Sequence, residues 1–100
     1  MSAESVARSL EAKLAEFAGL NARVRFDMGG DGTIAVDAKD GPPRIADERM
    51  EADCTIRVSA ENLEKLIAGA LNPMLAYTLG KLRIDGSLGV AMKVAALLEE

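Results

Sequence analysis

The sequence predicts an α+β domain in which helices pack on one face of a five-stranded, mostly antiparallel sheet. One observation is the order of periodicities along the chain, which reads as helix, strands, helices, strand, helix. Another is that the apolar residues of the clearer strands fall on one face, as in an antiparallel sheet with one solvated side. A length of 100 residues allows one core, so residues 1–100 are predicted to form a single domain.

The first element is an amphipathic helix over residues 3–17, ended by Gly19. Its apolar side chains recur at intervals of four, four and three residues, with charged side chains between them. This apolar set is Val6, Leu10, Leu14 and Phe17. The helix is predicted to lie on the dry face of the sheet.

The next four elements are predicted to be strands, and alternation of apolar and polar residues marks three of them. Residues 22–28 and 34–36 alternate on either side of a glycine-rich turn at 29–32, which predicts a hairpin. Beyond a pair of prolines, residues 44–47 are predicted to form a short edge strand. Residues 54–58 alternate again and form the fourth predicted strand.

Two short helices are predicted after the fourth strand. Ser59 is suited to cap the first of them, and an apolar stripe follows over residues 63–79. Gly69 and Pro73 interrupt the stripe, and a proline inside a helix loses a hydrogen bond and clashes with the preceding turn. We therefore expect a break, with Asn72 capping the second helix and Pro73 at its first position.

The last two elements are a strand over residues 81–85 and a helix over residues 88–98. The helix is unusual because apolar side chains cover nearly its whole circumference, and Lys93 is its one charged residue. Such a helix is either buried on several sides or covered by something that the sequence does not encode.

Composition and charge exclude several classes of function. With 49% apolar and 28% charged residues, and no apolar run near the ~18 residues of a membrane span, the chain fits neither disorder nor membrane insertion. A net charge of −4 and a pI of about 4.8 are unfavourable for binding nucleic acid. The first residues lack a secretion-signal pattern and the lone Cys54 cannot form an internal disulfide, so a cytoplasmic location is expected.

The familiar enzyme chemistries also find no support in the sequence. The chain has no histidine, which removes imidazole bases and the commonest transition-metal ligand. Cys54 alternates inward with apolar neighbours, which predicts a buried side chain and not a nucleophile. The calcium pattern begun by Asp27 and Asp31 is incomplete, because Ala38 stands at the position of its last ligand. We predict no enzymatic activity, no cofactor and no metal site.

The aliphatic stretch over residues 63–98 is the remaining candidate for function. It is either ordinary core or, in part, the lining of a pocket. Leucine and methionine repack around guests of varied shape, and a chain with three aromatic residues suits flexible alkyl chains better than planar rings. Periodicity alone does not distinguish a filled core from a hollow one.

Segments 59–69, 71–77, 80–88 and 91–93, with the upstream strands at 32–36 and 53–58, carry a family resemblance. They resemble the sterol carrier protein type-2 (SCP-2) family, most specifically in the block from Gly80 to Lys93. The resemblance implies an apolar tunnel between sheet and helices that holds fatty acids, fatty acyl-CoAs, sterols or phospholipids. The predicted function is therefore non-enzymatic binding and transfer of lipids, by a monomer or weak dimer that touches membranes transiently.

Eight side chains of the helical stripes are predicted to line this tunnel. They are Phe17, Leu71, Met74, Leu75, Leu79, Leu88, Met92 and Ala95. Lys81 or Lys93 is a candidate for an anionic headgroup at the mouth, although exposed lysines are usually only solvated. The break over residues 69–73 is predicted to act as the hinge that admits the ligand.

Two alternatives come from other classes of function. The apolar helix over residues 88–98 could be a dimerisation or docking surface instead of a tunnel wall. The domain could also be an accessory that delivers a lipid-like substrate to a partner enzyme. Neither alternative is excluded by the sequence.

Overall fold

The structure, a computed structural model, describes residues 3–98 and confirms the predicted α+β class. The helices are α1 (Ala3–Lys13), α2 (Ala60–Ile67), α3 (Pro73–Thr78) and α4 (Leu88–Leu98). The strands are β1 (Arg23–Asp27), β2 (Thr33–Asp37), β3 (Arg44–Ala46), β4 (Cys54–Val58) and β5 (Leu82–Gly86). The short edge strand predicted over residues 44–47 is β3, one residue shorter than expected.

The first helix is shorter than its apolar pattern predicts. After Lys13 the backbone tightens into a 3-10 turn over Leu14–Phe17, which is a common way for a helix to end. Gly19, with a φ of 89°, then reverses the chain into β1. Phe17 is fully buried in the core, as the apolar stripe requires.

The five strands lie in the order β3-β2-β1-β4-β5, so β3 and β5 are the edges of the sheet. β1 pairs in parallel with β4, and the other three neighbouring pairs are antiparallel. The register places Phe26 opposite both Ile34 and Ile56, and Ile56 opposite Ile84. An apolar row therefore crosses four strands on the face covered by the helices.

The opposite face of the sheet is polar and carries hydrogen-bonded arginines. The guanidinium of Arg25 donates to the carbonyl oxygens of Glu48 and Met50, which ties the segment before β4 to the sheet. Asp37 is buried, and its carboxylate accepts from the Lys39 N–H at 3.0 Å and from Arg44 at 3.1 Å. The Lys39 N–H, together with nearby arginines, holds the pKa of Asp37 below its usual value.

The predicted helix caps are confirmed at α2 and α3. The Ser59 hydroxyl accepts from the Asn62 N–H at 3.1 Å, and the Asn72 side chain accepts from the Leu75 N–H at 3.0 Å. Between the two helices Gly69 has a φ of 78°, and the Ala70 N–H donates to the last turn of α2. The predicted break is therefore a true helix end, closed by a left-handed glycine.

A second glycine sets the position of α4. Gly86 ends β5 with a φ of 93°, and a Cβ there would lie 2.6 Å from the Asp53 carbonyl oxygen. The Ser87 hydroxyl then accepts from the Val90 N–H at 3.2 Å, at the start of α4. This close approach fixes where α4 begins over the β5 end of the sheet.

Candidate functional site

An apolar cavity of about 190 Å³ lies between the sheet and the helices. The strands contribute Phe26, Ile56, Leu82 and Ile84 to its walls. The helices contribute Leu63, Leu66, Pro73, Met74, Tyr77, Leu88, Ala91, Met92, Val94, Ala95 and Leu98. The hydroxyl of Tyr77 is the one polar side-chain group among these residues.

The floor of the cavity is the β5 end of the apolar row on the sheet. Phe26, Ile56 and Ile84 face one another across β1, β4 and β5, and Leu82 shares their face because it lies two residues from Ile84. β5 is an edge strand, so no further strand closes this side. The cavity therefore lies at one end of the molecule.

Helix α3 forms a wall of the cavity with few buried side chains. This six-residue helix buries only Pro73 and Ala76, and the Pro73 ring is part of the lining. Four lining residues on α3 and α4 are each about half exposed: Met74, Tyr77, Leu88 and Met92. A side chain that both lines a cavity and meets solvent lies at its opening, so the mouth lies between α3 and α4.

The two faces of α4 explain its apolar circumference. Ala91, Val94 and Leu98 are buried in the core, and the side chains of Leu88, Met92 and Ala95 extend the wall toward the mouth. The sequence predicted that this apolar helix is either buried on several sides or covered by something else. Packing in the core and lining of the cavity together explain its apolar residues.

Four of the eight predicted tunnel residues line this cavity, namely Met74, Leu88, Met92 and Ala95. The other four, Phe17, Leu71, Leu75 and Leu79, lie outside its walls. Phe17 fills the core instead. Leu71 lies in the break between α2 and α3 and packs, partly buried, against the core. Leu75 and Leu79 are exposed on α3 and at its end, because the break at residues 68–72 resets the helical phase and the stripe does not continue from α2 into α3.

Prediction from helix stripes missed the residues that the sheet and α2 contribute. Phe26, Ile56 and Ile84 were visible as inward positions of alternating strands, and that alternation is the signal that could have found them. Tyr77 gave no such signal, because its place at the mouth depends on how α3 packs.

The walls of the cavity provide an apolar environment that suits a hydrocarbon chain. They contain no carboxylate, amine or thiol that could transfer a proton or attack a substrate. Burial, with the nearby charge of Asp53, raises the pKa of the Cys54 thiol to about 11, so it is protonated at neutral pH. Residues 3–98 contain no group of three or more histidine, cysteine or acidic side chains placed to hold a metal ion.

The volume of the cavity limits what it can hold in this conformation. A cavity of about 150 Å³ accepts benzene, whereas pockets for larger ligands usually have about 300 Å³ or more. At about 190 Å³ the space accommodates a segment of an alkyl chain. A whole long chain exceeds this volume.

The two lysines considered for a headgroup lie in different places. Lys81 borders a shallow polar cleft with Arg57 and Arg83, and Leu82 lines both that cleft and the apolar cavity. Lys93 lies in a separate depression beside Leu20. Only Lys81 is therefore next to the apolar cavity.

None of the helices over residues 3–98 has both the length and the apolar character needed to cross a membrane. The fold is a sheet with helices packed on one face and an apolar cavity between the two layers. These features define a small α+β domain that can hold a hydrocarbon guest. Residues 4–99 match the model of the SCP-2 sterol transfer family, and the chain belongs to that family. This confirms the resemblance found in the sequence and supports lipid binding or transfer as the general function of the domain.

Individual relatives agree with this assignment. The chain is 39% identical over 77 residues to sterol carrier protein 2 of Rattus norvegicus, and 37% identical over 70 residues to peroxisomal multifunctional enzyme A of Dictyostelium discoideum. These matches cover 75% and 70% of the chain but only 14% of either relative. The solution structure of sterol carrier protein domain 2 of Helicoverpa armigera is 28% identical with a TM-score of 0.65, over 95% of this chain and 77% of that one.

Proposed function

We propose that this domain binds the alkyl chain of a lipid in the cavity between the sheet and the helices, without catalysing a reaction. The observation that carries the proposal is a cavity walled by apolar side chains and open at a mouth whose four residues are half exposed. The driving force is removal of the chain from water. Membership of the SCP-2 sterol transfer family supports the same function.

The free energy gained by removing the alkyl chain from water determines the binding affinity. Each buried methylene contributes about 0.8 kcal/mol, so an acyl chain of about 12 to 16 carbons gains roughly 10 kcal/mol before entropic costs. A micromolar dissociation constant corresponds to about 8 kcal/mol. Near-micromolar affinity therefore requires most of the chain to be buried, and the apolar walls provide little discrimination between acyl chains.

The alternative of a dimerisation face on α4 is less well supported. Ala91, Val94 and Leu98 already pack in the core, and the apolar side chains that remain exposed on α4 surround the mouth. Delivery of a lipid-like substrate to an enzyme is compatible with the cavity, since one relative is a multifunctional enzyme. In that case the same cavity holds the guest, and only its destination differs.

Filling the cavity tests the proposal. Ala95→Phe places a ring against the space, whereas Ala96→Phe adds the same ring to an exposed position of α4 outside the walls. We expect Ala95→Phe to weaken binding of a fluorescent fatty acid at least tenfold, and Ala96→Phe to change it less than twofold. Equal affinities in the two variants, with both folded by circular dichroism, would show that the guest does not occupy the cavity.

A further inference from the structure

Strand β5 is an edge of the sheet, so one side of its backbone has no strand of this chain beside it. Hydrogen-bonded residues alternate along an antiparallel ladder. The Ser87 N–H donates to the Asp53 carbonyl at 2.8 Å, which fixes the phase of this alternation between β4 and β5. Arg83 and Asp85 therefore direct their N–H and C=O groups toward β4.

The alternate residues of β5 direct their peptide groups away from the sheet. They are Leu82, Ile84 and Gly86. Within residues 3–98 no hydrogen bond joins these outward groups to another part of the chain. A row of such groups is a template for pairing with a further strand. The other edge strand, β3, has only three residues, so β5 with five residues is the longer edge.

The side chains on the solvent face of β5 carry opposite charges. Arg83 and Asp85 flank Ile84, and both are exposed. Across the ladder Arg83 lies opposite Arg57, a second cation. Arg57 donates to Asp85 at 2.5 Å, whereas Arg83 forms no ion pair within residues 3–98. Arg83 is thus available to an acidic group outside this part of the chain.

A second copy supplies that group when two β5 strands pair antiparallel about a two-fold axis at Ile84. Arg83 then lies opposite the partner's Asp85, and Asp85 opposite the partner's Arg83. Both are non-hydrogen-bonded pairs, in which opposite side chains approach most closely. The same register joins the outward peptide groups of Ile84 to those of the partner's Ile84, and those of Leu82 to those of the partner's Gly86.

Neighbouring registers bring like charges together. An axis at Arg83 places the Arg83 side chains of both copies opposite each other, and an axis at Asp85 does the same for the two carboxylates. An axis at Leu82 places Lys81 opposite the partner's Arg83. Among these registers, charge therefore favours the one centred on Ile84.

The helices beside β5 add apolar surface to the same contact. A two-fold axis perpendicular to the sheet keeps the helical layers of both copies on the same face. Helices α3 and α4 both contact β5, and all six large apolar side chains exposed within residues 3–98 lie on α3, at its end or on α4. Pairing of the strands therefore brings apolar side chains of the two copies toward each other across the axis.

We infer that the chain forms a dimer in which two β5 strands pair antiparallel at Ile84 and join the two five-stranded sheets into one. The interface of each copy is one edge strand and its neighbouring helices, so the dimer is weak and depends on protein concentration. This contact uses the edge of the sheet and not the outer face of α4. It goes beyond the binding of a guest in the cavity, and either can fail without the other.

Charge reversal, followed by sedimentation equilibrium, tests this dimer. Arg83→Glu places carboxylates opposite each other across the axis, and Asp85→Lys places cations there. We expect each variant alone to dimerise roughly tenfold or more weakly than the wild type. An equimolar mixture of the two variants should form a 1:1 heterodimer, because each introduced charge then faces one of opposite sign. Lys39→Glu, the same change of charge on an exposed loop, should alter dimerisation less than twofold.

Hydrogen exchange followed by NMR identifies the strand that pairs. At concentrations at which the dimer forms, the amides of Leu82 and Ile84 should exchange more slowly in the wild type than in Arg83→Glu, because only the dimer occupies these N–H groups. A wild type that stays monomeric at millimolar concentration would overturn the proposal. So would a dimer that leaves the Ile84 amide unprotected, or a mixture that does not associate although both variants are folded by circular dichroism.

Discussion

Single residues decide the character of this domain mainly by their burial. Cys54 shows this most clearly, because a thiol is the most reactive group in the chain and the fold places it in the core with 1% exposure. The sequence predicted this burial from the alternation of β4. Asp37 is the contrasting residue, since its burial beside Arg23 and Arg44 depends on tertiary contacts that no local pattern predicts.

The burial of Cys54 makes its reactivity a measure of unfolding. At pH 8 we expect a thiol reagent to react slowly with the native protein and at once in denaturant, because the pKa of the buried thiol is raised to about 11. Cys54 is the only cysteine, so absorbance of the released chromophore reports this site alone. Rapid stoichiometric reaction of the native protein would contradict the burial.

The same pKa shift predicts a dependence of stability on pH. The unfolded thiol ionises near pH 9 while the folded thiol keeps its proton to about 11. The contribution of Cys54 to the free energy of unfolding is therefore complete below pH 9 and is lost as the pH rises toward 11. Urea titrations of the wild type and Cys54→Ala should converge or cross over this interval.

At the scale of elements, the order, type and caps of the helices and strands could be predicted from the sequence. Ser59 and Asn72 are caps because short polar side chains precede helical patterns, a local signal. The phase of α3 could not be predicted, because five residues separate it from α2 and its rotation depends on packing. This is why the predicted set contains Met74, which lines the cavity, together with Leu75 and Leu79, which do not.

The break between α2 and α3 was predicted to be a hinge, and it remains a prediction. α3 is held by few buried side chains, so an opening that swings it outward would change the backbone at residues 68–72. Gly69→Ala does not test this cleanly, because alanine at a φ of 78° is strained and costs about 1 kcal/mol or more. Asparagine tolerates this conformation better and still narrows the backbone freedom.

We therefore expect Gly69→Asn to slow uptake and release of a fluorescent fatty acid by similar factors of about two to five, with the dissociation constant unchanged. The physical reason is that opening precedes both steps, so a stiffer break delays each equally. Stopped-flow fluorescence measures both rates. Lys39→Asn, on an exposed loop away from α3, serves as a control, and unchanged rates in Gly69→Asn would rule out the hinge.

At the scale of the whole molecule, one end of the domain is closed by packing and ion pairs and the other is open. The β3 and β2 end of the sheet lies under α1 and is tied by the ion pairs of Asp37, whereas the β5 end carries the cavity, the thin wall of α3 and every exposed large apolar side chain of residues 3–98. The residue pattern predicted the apolar composition of this end, whereas a hollow interior was expected only from the family resemblance. Volume depends on how side chains from six elements meet, and no single pattern contains it.

This asymmetry predicts selectivity by shape. A flexible alkyl chain can enter a cavity of about 190 Å³ in part and displace α3 gradually, whereas a rigid sterol ring system must displace several walls at once. We expect a fatty acid to bind at least tenfold more tightly than a sterol in competition against one fluorescent acyl probe. Because both guests would contact the same walls on the sheet, Met74→Ala, which widens the mouth on the α3 side, should narrow that difference. If a sterol competes as well as the fatty acid in the wild type, the volume of the closed cavity does not determine which lipid binds. The helical layer would then open as a unit.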